Sequence, residues 1–216
     1  MKTFNIALCQ ITPSFEKKTN IERAIDMIEE AASRGAALVT LPEMFYYPFQ
    51  IQGIGSIAAD ESKTVSLFGQ IAKKHGIYLC TGSMAFKENG LIFNRSYLLG
   101  PQGTVLLKYD KCHLFDVNFK GLEIRESSVF TPGNQIVSVQ TELGRIAIII
   151  CYDIRFPELL RNQNLLGIDL LIVPAVFNNI SGPAHWHVMM RARAIENQFF
   201  LAAVSQGQNR KSFYKA

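Results

Sequence analysis

The sequence feature that most constrains the fold is the uninterrupted apolar run from Ile146 to Cys151. Its length and its isoleucine content are typical of a β-strand that is buried on both faces. Such a strand needs covering layers on both sides, so the run predicts a layered fold. Asp153 and Arg155 follow the run at once, and Pro157 suits the first turn of a helix. A cysteine at this strand-to-helix corner is expected to favour the thiolate, although burial in the core is the ordinary alternative for Cys151.

Short apolar strands alternate with amphipathic helices along the rest of the chain. The pattern predicts strands at Phe4–Gln10, Ala37–Leu41, Ile77–Ser83, Gln135–Gln140, Asp169–Pro174 and Phe199–Ser205, and helices at Asn20–Arg34, Thr64–His75, Pro157–Leu166 and Pro183–Asn197. Thr19 or Asn20 is expected to cap the first helix, and Gly35 to end it. The segment Leu91–Tyr109 reads as a hairpin, whereas residues 110–133 have no clear period. Together these elements predict an α/β (α+β layered) fold with a mixed sheet, in one domain over residues 1–216.

Composition excludes several classes of function. The 22 Lys and Arg residues are scattered against 18 Asp and Glu, which gives little support for nucleic-acid binding. Apolar runs fall short of the roughly 18 residues that a membrane span needs, so no membrane partner is expected. The N-terminus lacks a signal-peptide core, and the four cysteines show no C-x-x-C pairing. The chain is therefore expected to be cytoplasmic, with reduced thiols.

Three residues with chemical potential each follow a predicted strand. Glu43 comes after one strand, Lys111 after a second, and Cys151 after a third. Side chains beyond strand ends converge on the ligand cleft of a layered fold. Taken singly, Glu43 is better explained as an acid in a solvated turn and Lys111 as a surface lysine. Together, a thiol, a carboxylate that takes its proton and a cation that stabilises an oxyanion suit acyl transfer from an amide or a nitrile.

Competing constellations find little support in the sequence. There is no G-x-S-x-G elbow and no Walker phosphate loop. His185 and His187 are two residues apart, so on a helix they point about 200° away from each other and do not readily share one metal. We expect no metal and no organic cofactor.

Five segments resemble one family. Leu41-Pro-Glu-Met-Phe45, Tyr109-Asp-Lys-Cys-His-Leu-Phe115 and Ile150-Cys-Tyr-Asp-Ile-Arg-Phe-Pro-Glu158 resemble the three signature blocks of the nitrilase (carbon–nitrogen hydrolase) superfamily, in the right order. Phe177–Trp186 and Arg191–Gln198 look most like its ω-amidase branch. The resemblance implies a four-layer α-β-β-α sandwich with mixed sheets, and a homodimer or higher homo-oligomer formed through the helical face.

The resemblance also implies a role for each position of the site. Glu43 would be the general base, Lys111 the oxyanion stabiliser and Cys151 the nucleophile, with the N–H of Tyr152 completing the oxyanion site. A second acid occurs in the family before the cysteine strand. Glu126 is the best match for it, and Glu123 is the competitor.

The implied activity is that of an amidase that acts on a small carboxylate-bearing amide, such as 2-oxoglutaramate or succinamate. It would proceed through a cysteinyl thioester and release ammonia. Arg155 is a candidate for binding the distal carboxylate, with a structural salt bridge as the alternative. Phe177, His185 and Trp186 either shape the pocket wall or pack in the core.

Two alternatives to an ω-amidase stay open at this point. One is an N-carbamoyl amidohydrolase or a nitrilase with another substrate. The other is a non-catalytic homologue, because family members normally continue beyond the Arg210–Tyr214 region and this chain stops at Ala216, so it is expected to be C-terminally short.

Overall fold

Strands and helices alternate along much of the chain, which a computed structural model describes over residues 3–119, 122–161 and 167–208. The strands are β1 (Asn5–Leu8), β2 (Ala36–Thr40), β3 (Tyr78–Cys80), β4 (Met84–Glu88), β5 (Leu91–Leu99), β6 (Val105–Asp110), β7 (Asp116–Phe119), β8 (Leu122–Arg125), β9 (Ser138–Thr141), β10 (Gly144–Ile148), β11 (Leu170–Ala175) and β12 (Phe200–Ser205). The helices are α1 (Lys17–Ser33), the kinked α2 (Ile51–Ile57), α3 (Ser62–His75), α4 (Pro157–Arg161) and α5 (Gly182–Asn197).

Within those ranges the strands form two larger mixed sheets and the separate hairpin β7–β8. In the first sheet β1, β2 and β3 are parallel, because the crossovers that contain α1 and α3 return the chain in the same direction. Strand β5 runs antiparallel to β3, β4 and β6, and its pairing with β6 is the predicted hairpin. In the second sheet β10, β11 and β12 are parallel, and β9 is the antiparallel edge.

The alternating directions of the side chains along β2 show how the layers are stacked. Leu38 packs in a core shared by the two sheets, where it joins Leu98 of the first sheet and Ile148 of the second. Its neighbour Val39 points the other way, into a core with Ile28 of α1 and Phe68 of α3. Residues of α4 and α5 cover the outer side of the second sheet. The layers are therefore α-β-β-α, which confirms the predicted fold class.

The first helix begins earlier than the sequence predicts. It starts at Lys17, so the expectation that Thr19 or Asn20 caps it is wrong. Asn20 is buried and ties the helix to its surroundings, because it accepts a 2.8 Å hydrogen bond from the N–H of Ser14 and donates one of 2.8 Å to the carbonyl of Tyr46. The helix ends before Gly35, as expected.

Several elements escaped sequence prediction. Strand β4, helix α2 and the β7–β8 hairpin lie in segments without a recognised period. Strand β10 stops at Ile148, so Cys151 opens a separate 3-10 turn, Cys151–Arg155, and does not end the strand. The last residues of the predicted helix, 162–166, and the 210–214 region lie outside the described residues. Within the described ranges no helix has the length and apolar character to cross a membrane.

Candidate active site

The exits of four strands, two from each sheet, meet at one end of the sandwich. Glu43 follows β2, Lys111 follows β6, Cys151 follows β10 and Val176 follows β11. Loops at strand ends are the usual location of a ligand site in layered folds. The two facing sheets thus bring together residues that are far apart in sequence.

Hydrogen bonds to its backbone fix the segment that carries Glu43. Met44 adopts a left-handed φ of 49°, and its N–H bonds to the Ser83 hydroxyl at 3.2 Å. The side-chain amide of Gln206 donates to the carbonyls of Glu43 at 3.0 Å and Met44 at 2.7 Å. These contacts hold the Glu43 carboxylate in a single place at the sheet edge.

Lys111 bonds to two buried carboxylates. Its ammonium lies 2.9 Å from Oε1 of Glu43 and 2.8 Å from Oε2 of Glu126. Its backbone N–H donates to the carbonyl of Asn94 at 2.9 Å, which extends the first sheet to this point. A buried cation between two carboxylates is compensated for the loss of its hydration.

The structure brings Glu126, and not Glu123, to Lys111. Glu126 lies in a 3-10 turn after β8, is 0% exposed and accepts a 2.6 Å hydrogen bond from the N–H of Phe115. Glu123 is exposed and pairs with Arg125.

Val176 joins the thiol to the carboxylate. The thiol of Cys151 donates to the carbonyl of Val176 at 3.4 Å, and the N–H of Val176 donates to Oε2 of Glu43 at 2.9 Å. Cys151 has a φ of 45°, a left-handed conformation that is strained for any residue with a Cβ. Such a conformation persists only where the surrounding structure imposes it, so the position of the sulfur is set by the packing around the turn.

Asp153 ties the cysteine turn to the strand that leads to Lys111. Its buried carboxylate accepts hydrogen bonds from the Tyr109 hydroxyl at 2.7 Å and the Ile150 N–H at 3.0 Å. It also accepts the N–H of His113 at 2.8 Å, and the ring of His113 lies within hydrogen-bond distance. The sequence marked Asp153 only as part of a polar corner, so this structural connection was missed.

Burial raises the pKa of two groups in the site, Cys151 and Glu126. It raises the pKa of Cys151 well above its usual range, and the Glu43 carboxylate raises it further, against the opposing charge of Lys111. The expectation that the strand-to-helix corner favours a thiolate is therefore wrong: the thiol is neutral at rest and needs a base. Burial also raises the pKa of Glu126.

The cation keeps its charge in spite of burial. Burial alone lowers the pKa of Lys111, but the carboxylates of Glu126 and Glu43 outweigh that effect and hold it well above its ordinary value. The arrangement thus combines a neutral thiol, a carboxylate able to accept its proton, and a permanent positive charge.

Asn94 is a further residue of this cluster that sequence reasoning missed. It lies in β5, is 1% exposed, and its amide nitrogen donates to Glu43 at 2.8 Å and to Glu126 at 3.1 Å. The available signal was a polar residue within the otherwise apolar start of a strand, Leu91-Ile-Phe-Asn94.

A pocket opens in front of the sulfur. Cys151 lines it together with three of the residues expected to bind substrate, Tyr152, Arg155 and Phe177. The N–H of Tyr152 lies in the first turn of the 3-10 segment, where backbone donors lack an intrahelical acceptor. That donor is thus suited to binding an oxyanion.

The other two residues expected in the pocket, His185 and Trp186, do not line it but contact residues that do. His185 is exposed and lies 3.1 Å from the Arg155 guanidinium, and Trp186 packs edge-on against Phe177 with ring centroids 5.0 Å apart. Among the residues that the structure describes, no three His, Cys, Asp or Glu side chains are grouped as metal ligands.

Comparison with known proteins places this arrangement in a family context. The sequence model of the carbon-nitrogen hydrolase family matches residues 5–214. Omega-amidase NIT2 of Xenopus tropicalis is 37% identical over 218 residues, which cover 100% of this chain and 79% of that protein. Omega-amidase NIT2 of Homo sapiens is 37% identical with the same coverage. The crystal structure of Saccharomyces cerevisiae Nit3, a member of branch 10 of the nitrilase superfamily, has a TM-score of 0.87 at 31% identity over 98% of this chain and 78% of that chain.

Proposed function

Because this chain belongs to the carbon-nitrogen hydrolase family, it hydrolyses carbon–nitrogen bonds, and we propose that its substrate is a small amide bearing a second carboxylate. 2-Oxoglutaramate and succinamate are of this class. One observation carries the choice: the Arg155 guanidinium lines the same pocket as the Cys151 sulfur. The similarity to relatives named omega-amidases supports it.

Arg155 is a cation without an acidic partner among the described residues, which argues against the alternative of a structural salt bridge. Its contacts are the ring of His185 at 3.1 Å and the faces of Tyr152 and Phe177, whose centroids lie 5.6 and 5.7 Å away. These neighbours orient the guanidinium and leave its charge uncompensated. A carboxylate at the far end of the substrate supplies that compensation through a bidentate pair.

Acylation begins with the neutral thiol. Oε2 of Glu43 takes the proton of Cys151 as the sulfur attacks the amide carbon. The carbonyl oxygen becomes an oxyanion, which the Lys111 ammonium and the Tyr152 N–H stabilise. Glu43 then returns the proton to the leaving nitrogen, ammonia departs and a thioester remains on Cys151.

Glu126 acts through Lys111 in this scheme. It binds the ammonium through both carboxylate oxygens, at 3.1 and 2.8 Å. The ammonium has three N–H donors, and Glu126 can share one of them between its two oxygens, so with a second given to Glu43 the third is left for the oxyanion. Glu126 is therefore proposed to position Lys111.

Deacylation repeats the same steps with water. Glu43 takes a proton from a water molecule that attacks the thioester, and the oxyanion forms again between Lys111 and Tyr152. Glu43 returns the proton to the sulfur as the carbon–sulfur bond breaks. The products are the dicarboxylic acid and the free enzyme.

The decisive test compares charged and uncharged amides in the wild type and in Arg155→Leu. Succinamate is expected to lose roughly 30- to 100-fold in kcat/KM, because the variant removes a charge-assisted pair, whereas butyramide changes little. His185→Ala is the matched control, since it removes a neighbour of Arg155 and keeps the cation. An equal loss for both amides, or faster hydrolysis of N-carbamoyl acids or nitriles by the wild type, contradicts the proposal.

We also propose that the chain pairs with a second copy through α5. Val188 and Ile195 are 67% and 77% exposed, and their spacing of seven residues places them on one face of the helix. Burial of such a stripe against its symmetry mate is the common way to form a homodimer. Light scattering of wild type and Ile195→Asp tests it: a wild-type monomer, or an unchanged dimer in the variant, contradicts it.

A further inference from the structure

Asn94 makes an unusual pair of contacts within the cluster. Its single amide nitrogen donates one hydrogen to Oε1 of Glu43 at 2.8 Å and the other to Oε1 of Glu126 at 3.1 Å. Its carbonyl oxygen is buried and has no hydrogen-bond partner among the residues that the structure describes. A buried polar atom without a partner is rare and costs free energy, so this arrangement calls for a physical reason.

The two carboxylates supply that reason. If the amide were turned over, its oxygen would face both carboxylate oxygens at the same short distances, and acceptors repel each other. The nitrogen must therefore point at Glu43 and Glu126, and the oxygen is left facing away. The unpaired carbonyl is a consequence of supplying two donors to the acids.

A count of lone pairs shows what Asn94 does to Glu43. Each carboxylate oxygen has about two acceptor sites. Oε1 of Glu43 uses both, one for Lys111 at 2.9 Å and one for Asn94. Oε2 uses one for the N–H of Val176 at 2.9 Å. The remaining site, on Oε2, is the one available to the thiol proton of Cys151.

We propose that Asn94 is a positioning residue that saturates Oε1 of Glu43 and thereby directs proton transfer to Oε2, beside the sulfur. The inference rests on the proposed function in one respect, the role of Glu43 as the base. A neutral amide would thus help to direct proton transfer in a site whose signature segments supply only Glu43, Lys111 and Cys151.

The proposal predicts a change in pH dependence. The groups that face Glu43 are the Lys111 cation, the Glu126 carboxylate and the Cys151 thiol. Without Asn94, the ionised form of Glu43 loses one of its hydrogen bonds, so it takes up a proton at higher pH. The acidic limb of kcat/KM is expected to move up by about one pH unit, which is the effect of one lost charge-assisted hydrogen bond.

The experiment compares full-length wild type, Asn94→Leu and Ser96→Ala. Ser96 is a matched control, because it is buried on the same strand two residues further on and contacts Cys80 and not the acids. The first measurement is the pH profile of kcat/KM for succinamate. The second is the pH profile of Cys151 alkylation by iodoacetamide, which needs no substrate turnover. Folding is checked by circular dichroism and thermal unfolding.

A shift of both acidic limbs in Asn94→Leu, with none in Ser96→Ala, supports the proposal. A loss of rate that is uniform in pH, or a profile identical to the wild type, overturns it. If Asn94→Leu does not fold, the isosteric Asn94→Asp decides, since a third carboxylate also moves the limb upward and an unmoved limb overturns the inference. If the wild type hydrolyses no amide, the proposed function fails, while the alkylation profiles still decide the role of Asn94.

Discussion

The Tyr109 hydroxyl donates a 2.7 Å hydrogen bond to the carboxylate of Asp153, and this contact fixes the exit of β6 against the turn that carries Cys151. Tyr109 precedes Lys111 by two residues, and Asp153 follows Cys151 by two. The bond therefore joins the segments that hold the cation and the nucleophile. Both partners are buried, so solvent does not compete for the bond.

Substitution of Asp153 should lower the free energy of unfolding more than removal of the Tyr109 hydroxyl does. Asp153→Asn introduces an amide NH₂ among several hydrogen-bond donors and leaves some of them unpaired, so the free energy of unfolding is expected to fall by about 3 kcal/mol. Tyr109→Phe removes one hydrogen bond and should cost about 1 kcal/mol. Urea unfolding measures both, and equal losses in the two variants would contradict the central place of Asp153.

Glu43→Gln should have opposite effects on the thiol and on turnover. The Glu43 carboxylate adds to burial in raising the pKa of Cys151, so its neutralisation is expected to lower that pKa and to favour the thiolate beside Lys111. Amide hydrolysis should nevertheless fall roughly 1,000-fold, because no base returns the proton to the leaving nitrogen.

Thiolate absorbance at 240 nm follows this titration, with Cys151→Ala as the blank. A pKa of Cys151 that rises in Glu43→Gln, or a variant that retains wild-type turnover, contradicts the assignment of Glu43 as the base.

The regular elements were largely predictable from the sequence, because they depend on local periodicity. The α1 and α3 patterns, the Leu91–Tyr109 hairpin and the strands of the second sheet are read from apolar spacing and turn residues. The predicted start of α1 was wrong, since Asn20 has the residue type of a cap but bonds to Ser14, which precedes the helix, and to Tyr46, which the tertiary fold brings near. The sequence of β4 has no recognised period, so this strand can be identified only from its pairing with β5.

For the site, the strand exits indicated Glu43, Lys111 and Cys151, since a polar residue after an apolar run is visible in the sequence. The choice between Glu123, within β8, and Glu126, directly after it, depends on which carboxylate faces inward, and the local sequence does not decide that. Asn94 stands out in the sequence only as a polar residue within an apolar strand, and its role could not be predicted because its two acid partners lie 51 and 32 residues away. Long-range hydrogen bonds leave no local pattern.

Gly82→Ala should disturb the site through the backbone. Gly82 has a φ of +66°, and a Cβ there would overlap the carbonyl oxygen of Pro42, directly before Glu43. We expect a loss of about 3 kcal/mol in unfolding free energy together with a fall in kcat, because Pro42 must move. Gly90 has a similar φ of +80° with nothing within 4 Å, so Gly90→Ala should cost only about 1 kcal/mol and leave kcat unchanged. Equal effects of the two substitutions would show that the overlap is relieved without moving Glu43.

Lys111→Met should make stability strongly dependent on pH. It leaves Glu126 and Glu43 buried without their cation, which is expected to cost about 3–5 kcal/mol at pH 8. The pKa of Glu126 is already raised by burial and rises further without Lys111, so the native state binds its proton more tightly than the unfolded chain does. Stability then falls as pH rises from about 4.3, the unfolded value, through the raised folded pKa, and acidification to pH 5 should recover part of the loss. Urea unfolding of Lys111→Met and of Lys111→Met/Glu126→Gln at both pH values measures this, and a loss that is the same at pH 5 and pH 8 in the single variant contradicts it.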